Sequence, residues 1–175
     1  MTINETAALI RADRQRNANN YKSQLITFLF RVANFFYFSK NSSKTMWIVG
    51  LPYLALYRIV VEWFLCVELP FGCKIGPGLI IDHGHALVVN KNTIIGSNCR
   101  LRNSTTIGCK VTDIGSQLPS PVIGNNVDVG SNVAIIGEIV IGNNVTIGAG
   151  AVVVKNLPDN CVAAGNPAKV IRNIP

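Results

Sequence analysis

The stretch "VIGNNVDVGSNVAIIGEIVIGNNVTIGAGAVV", Val122–Val153, places an apolar residue at every sixth position: Ile123, Val129, Ile135, Ile141, Ile147 and Val153. Four residues after a lead sits a small or branched one, as at Val127, Val133, Ile139, Val145 and Ala151. Turn formers lie between, as in Asn125-Asn126, Ser131-Asn132 and Asn143-Asn144. A helix would repeat at 3.6 and a lone strand at two, so the rhythm fits short strands meeting at corners. Asn and Gly suit those corners because they tolerate left-handed backbone angles. One such strand cannot bury its face alone, so coils must stack, at about 4.8 Å per layer.

The same rhythm is readable upstream, with leads at Ile75, Ile81, Leu87, Ile95, Leu101 and Ile107. Two irregularities break it. Eight residues separate Leu87 from Ile95, and sixteen separate Ile107 from Ile123. The longer interruption, "CKVTDIGSQLPSPV", is read as an extruded loop at 109–122 that shapes an acceptor pocket. The repeat region is placed at 68–175.

Residues 1–67 have a different character. "YKSQLITFLFRVANFF" carries Leu25, Phe28, Leu29, Val32, Phe35 and Phe36 on one helical face. After a break at Asn41–Lys44, a second apolar helix is expected over about 47–67, bent at Pro52. The reading adopted is that these helices pack on each other and on the repeat. The alternative is a peripheral contact with a membrane surface. The uncharged run Thr45–Tyr57 is short of the roughly 20 residues that cross a bilayer.

Only 14% of the 175 residues are charged and 49% are apolar, which suits a buried subunit interface. The net charge is +7, and residues 1–65 hold most of it, eight Lys/Arg against three Asp/Glu. This excess is read as a solvated helical face, and no nucleic-acid partner is expected. Five cysteines without a CxxC pair, and a polar first twenty residues, point to a reducing cytoplasm. Membrane association is the second reading of location. Two histidines, His83 and His85, with no third, do not make a zinc site, and no metal is expected.

"CKIGPGLIIDHGHALVVN" (Cys73–Asn90), "TIGCK", the opening stretch and "AAGNPAKVI" together resemble the hexapeptide-repeat acyltransferases. Within them the match is to serine acetyltransferases and, more closely, to the branch that acetylates sugars in colanic acid and capsule synthesis. The resemblance covers about residues 45–175 and includes the apolar "LYRIVVEWFLCVEL" run. It implies an all-β left-handed parallel β-helix, three hexads per coil, with an N-terminal α-helical region. It also implies a homotrimer with active sites between subunits, and acetyl-CoA as co-substrate.

Three hexads per coil put Ile81, Leu101, Val129 and Ile147 in one column, so His83 falls on a corner with Asn103, Ser131 and Ala149. His85, four past its lead, is expected to face inward and be structural. By resemblance His83 is the general base, Glu68 stands where a carboxylate orients it, and Asp82 contacts the acceptor. A salt link to the scaffold and a solvated turn carboxylate are the alternative roles of Glu68 and Asp82. The Arg-His pair of the serine enzymes is replaced by Pro119-Ser120, with Lys110 as the substitute cation. Coenzyme A is expected along Gly108, Ala149, Ala164 and Pro167, with Lys169 and Arg172 toward its phosphates.

Three functions follow as candidates. The first is O-acetylation of a sugar hydroxyl in exopolysaccharide or capsule synthesis, on a small-molecule or glycan acceptor. The second is serine O-acetylation, favoured by Asp82 but not by Pro119-Ser120. The third is a non-catalytic β-helix scaffold, which would bind no cofactor.

Overall fold

The structure, a computed structural model, describes residues 1–111 and 115–174. Three helices open the chain: α1 (Ile3–Arg16), α2 (Tyr21–Ser39) and α3 (Lys44–Tyr57). A π-helical segment, Arg58–Phe64, continues α3. The rest winds through three sheets of two- to six-residue strands. Sheet A holds β1 (Val67–Glu68), β4 (Leu87–Val89), β7 (Thr106–Gly108), β10 (Ala134–Ile136) and β13 (Val152–Val153). Sheet B holds β2 (Lys74–Ile75), β5 (Ile94–Ile95), β8 (Val122–Ile123) and β11 (Val140–Ile141). Sheet C holds β3 (Ile80–Asp82), β6 (Arg100–Arg102), β9 (Asp128–Val129), β12 (Thr146–Ile147), β14 (Cys161–Gly165) and β15 (Ala168–Asn173).

Neighbouring strands in each sheet are one coil apart and parallel, except that β15 turns back antiparallel on β14. This is the parallel β-helix expected from the hexads. The chain passes from B to C to A and round again. Its leads stack as columns: Ile75, Ile95, Ile123 and Ile141 in B, then Ile81, Leu101, Val129, Ile147 and Ala163 in C. All are buried.

One lead is displaced from its expected position. Val89, not Leu87, pairs with Ile107, and Ile107 pairs with Ile135. The two extra residues therefore lie before Leu87, in the corner between β3 and β4, and not between Leu87 and Ile95. Spacing alone could not decide this, because Leu87 and Val89 are both apolar and both buried. The larger corner also turns His85 out to solvent, against the expectation that it faces inward.

The B–C corners carry Asn98, Asn126, Asn144 and Asn160 at positive φ, as expected of this residue type. Their side chains link coil to coil: Asn126 donates to Asn144, and Asn144 to Asn160, at 2.9 and 2.8 Å. Beside them Gly124 must stay bare. A Cβ there would lie 2.7 Å from the Gly142 carbonyl oxygen, which cannot move without opening the coil spacing. Gly124→Ala is expected to cost about 1–3 kcal/mol, read from urea denaturation at fixed protein concentration.

The helices close the first coil. Asp13 accepts the N–H groups of Gly78 and Leu79, and Ser23 Oγ accepts that of Ile81. Arg31 donates to the carbonyls of Ile75 and Gly76, and Asn34 to those of Phe71 and Cys73. Asp13 and Arg31 also form a buried ion pair, Nε to Oδ2 at 2.7 Å. Arg31 is thus not part of the solvated basic face expected of this region. α1 itself has a capping box, Thr2 with Glu5, and the residues it buries are the polar Thr6 and Asp13.

α2 packs on α1, α3 and β3. α3 runs through Pro52 and buries only a narrow stripe, Gly50, Leu54 and Tyr57, which Val61 extends. β1 begins at Val67, so the expected boundary at 67/68 falls inside a strand.

Candidate active site

The corner between sheets C and A is built around "DHGHA", Asp82–Ala86. His83, Gly84 and Ala86 all have positive φ, at 63°, 24° and 51°. Three such residues in four make the corner wide enough to hold the two extra residues. Lys22 donates to the His83 carbonyl at 3.3 Å, and the Ala86 N–H donates to Cys66 O at 2.8 Å. Gly84 is favoured by its angle and sits against α2, where a Cβ would press on the Ile26 Cδ1 methyl at 2.7 Å. α2 therefore braces this corner, and the His83 ring projects outward from a supported backbone.

Glu68 lies on the exterior of sheet A, one coil before Val88, its partner in register. It lines a cleft of about 420 Å³ together with Arg58, Glu62, Trp63, Phe71 and Lys91. Arg58 and Glu62 form an ion pair across one helical turn. Trp63 is 79% exposed beside them. Among the described residues, neither the His83 ring nor the Glu68 carboxylate has a hydrogen-bond partner. The orienting contact implied by resemblance is thus not made within this single chain.

Asp82 is engaged on the other side of the corner. Its Oδ1 accepts from Asn20 Nδ2 at 3.1 Å, and its Oδ2 lies 3.3 Å from Arg100 Nε. This ties the start of α2 to sheet C. Lys110 and Gly108 lie at the opposite edge of sheet A, where the chain leaves toward the loop at 109–122. Residues 112–114 of that loop lie outside the described residues. Lys110 approaches Gly137, and the Leu118 N–H returns to Lys110 O at 2.9 Å. One side of the coil, on the order of 15 Å, separates this edge from His83.

Ser120 is buried and donates to Asn90 Oδ1 at 2.9 Å, pinning the returning loop to the coil. The position where the resemblance looks for an imidazole is therefore filled by an internal structural contact.

The remaining cofactor residues gather at the C-terminal end of sheet C. Ala164 covers Gly148, where a Cβ would come within 3.0 Å of the Ala164 methyl. Ala149 is exposed at the next corner, and Gly150 beyond it has open space around it. Pro167 sits in the β14–β15 turn, Lys169 pairs with Ala164, and Arg172 pairs with Val162. These small side chains and exposed cations fit a thin chain ending in phosphates. Gly108 is not among them: it belongs to sheet A.

Sequence reasoning singled out His83, Glu68 and the C-terminal cations, but not the Trp63 cleft. In the sequence Trp63 stands only as part of an apolar helix, with Arg58 and Glu62 as charges one helical turn apart. Their signal was a Trp and an ion pair interrupting the run just before Glu68. The buried thiols add no chemistry: burial pushes Cys73 up to about 12 and raises Cys99 and Cys161.

No family model matches the chain. A relative from Escherichia coli strain K12, named "Putative colanic acid biosynthesis acetyltransferase WcaB", is 38% identical over 160 residues. The alignment spans 90% of this chain and 96% of that protein. Serine acetyltransferase 3, mitochondrial, of Arabidopsis thaliana is 37% identical over 118 residues, 67% of this chain but 29% of that protein. Among solved structures, the soybean serine acetyltransferase apoenzyme superposes with a TM-score of 0.74 at 30% identity, covering 95% of this chain and 67% of that one. Serine acetyltransferase from Brucella abortus strain S19 in complex with coenzyme A gives 0.79 at 24% identity, covering 99% and 70%. At that identity it speaks to the fold alone.

Proposed function

Since the chain belongs to the hexapeptide-repeat acetyltransferases, in the group of the colanic acid enzyme, we propose that it acetylates a sugar hydroxyl with His83 as general base. The chain is an acyltransferase with acetyl-CoA as its co-substrate, and that molecule supplies the acetyl group as a thioester. His83 takes the hydroxyl proton as the acceptor oxygen bonds to the carbonyl carbon. It returns the proton to sulfur as the C–S bond breaks. An unassisted alcohol is a poor nucleophile at neutral pH, which is why a positioned imidazole is needed.

The observation that favours a sugar over serine is the loop. Ser120 is buried against Asn90, and no Arg-His pair stands there to meet an amino-acid carboxylate. The cleft beside Glu68 supports the same reading. Trp63 presents an aromatic face to a sugar ring, and Glu62, Glu68, Arg58 and Lys91 surround it with acceptors and donors for hydroxyls. Within one chain His83 and Lys110 occupy opposite edges of sheet A. A homotrimer, in which one subunit's loop edge meets its neighbour's His83 corner, would join them. Exopolysaccharide synthesis in the cytoplasm is the setting this chemistry suits.

Thiol release from acetyl-CoA, followed with oligosaccharide acceptors and with L-serine, tests the proposal. Oligosaccharides are expected to accelerate it and serine not to; acceleration by serine alone defeats the sugar reading. Trp63→Ala is expected to raise the acceptor KM about tenfold while leaving the acetyl-CoA KM within twofold.

A further inference from the structure

α3 and its π-helical continuation are apolar on nearly every side, yet only one stripe touches the rest of the protein. Gly50, Leu54, Tyr57 and Val61 recur at three- and four-residue intervals and are buried. Ile48, Val49, Leu51, Leu56 and Ile59 are 43–65% exposed, and Phe64 is 77% exposed. A helix hydrophobic all round is normally enclosed by protein or lipid.

Charge indicates which. From Arg14 to Val61 the chain has seven Lys/Arg and no Asp/Glu; Arg31 is buried against Asp13 and Arg58 pairs with Glu62, which leaves Arg14, Arg16, Lys22, Lys40 and Lys44 without a carboxylate partner among the described residues. Lys40 caps the end of α2, Lys44 opens α3 and Arg58 follows its end. Lys40 lies over the Trp47 ring at 5.2 Å, a pairing suited to the border between apolar chains and headgroups. Two copies of this face would bring like charges together, whereas an anionic surface would meet opposite ones.

We propose that this face docks on an anionic membrane surface, the helix lying in the plane of the headgroups with its exposed apolar side inserted. Lys44–Phe64 is by length and composition enough to span a bilayer, but its inner stripe is held by the protein's own core and Arg58 and Glu62 interrupt it, so it lies on the surface. The cleft of Trp63 and Glu68 opens at the C-terminal end of this helix, which presents it to an acceptor carried at the lipid surface. The docking rests on exposure and charge, independently of the acetylation chemistry.

Co-sedimentation of the full chain with vesicles tests it, using phosphatidylcholine alone and in equal parts with phosphatidylglycerol. The anionic vesicles are expected to bind at least about tenfold more tightly, and added salt to weaken them. The Val49→Glu/Leu56→Glu variant should lose this binding about tenfold or more while keeping its melting temperature and oligomeric state. Lys40→Glu/Lys44→Glu should erase the preference for anionic over neutral vesicles. Absence of wild-type binding to either vesicle overturns the proposal, as does undiminished binding by Val49→Glu/Leu56→Glu. Dissociation of that variant into smaller species overturns it too, by assigning the face to a second copy.

Discussion

Replacing His83 by alanine is expected to lower turnover by about 10²–10⁴, the contribution of one positioned base. The substitution should leave the fold intact. The ring is exposed and, among the described residues, has no hydrogen-bond partner, while the corner is held by backbone contacts and by α2. Acetyl-CoA affinity should change little, since the small residues and cations at the far end of sheet C do not depend on the imidazole. Steady-state rates of thiol release, with binding of coenzyme A measured separately, make the check. A change under threefold removes His83 from this role, and loss of coenzyme A binding assigns it to positioning. The scaffold alternative predicts indifference in both.

The largest loss of stability is expected from Arg31→Met, about 3–5 kcal/mol in urea denaturation. Methionine fills a similar volume but leaves Asp13 buried without its cation and removes donors from the carbonyls of Ile75 and Gly76. Those groups belong to the first coil, which has no coil below to bond them. Breaking one partner of a buried pair costs more than replacing both. Asp13→Leu combined with Arg31→Met should therefore cost less than the sum of the single substitutions. Its remaining deficit would report the unbonded N–H groups of Gly78 and Leu79 together with the unbonded carbonyls of Ile75 and Gly76.

Most of the solenoid was legible in the hexads, because a lead must be apolar, a corner must turn, and coils must stack in register. The columns through Ile81, Leu101, Val129 and Ile147 follow from counting once the resemblance supplies three hexads per coil. Counting failed where two apolar residues offered the same service. Leu87 and Val89 both point inward, so the spacing places the extra pair on the wrong side of them and turns His85 inward with it. α1 lies within the helical region expected over 1–67 but shows no apolar stripe to count, because what it buries is polar: Asp13 serves the coil's backbone, not an apolar core. Of the site, His83 and Glu68 were visible only through resemblance. Asp82 as an acceptor contact likewise rests on resemblance, and the sequence cannot show Asn20 and Arg100 beside it. The Trp63 cleft needs the π-helical segment folded against sheet A, which no local pattern announces.

The register of sheet C sets a length. From β3, which leads into the His83 corner, to β15, which carries Lys169 and Arg172, there are five strand spacings, about 24 Å. The stack is stopped at both ends, by the helical plug below and the reversed strand above, so its rung count cannot drift. Adding or removing one rung would slide the phosphate anchor past the base by about 4.8 Å. With His83 as base and Lys169 and Arg172 as phosphate contacts, as proposed, the tally of turns would set the separation that a thioester carrier has to span.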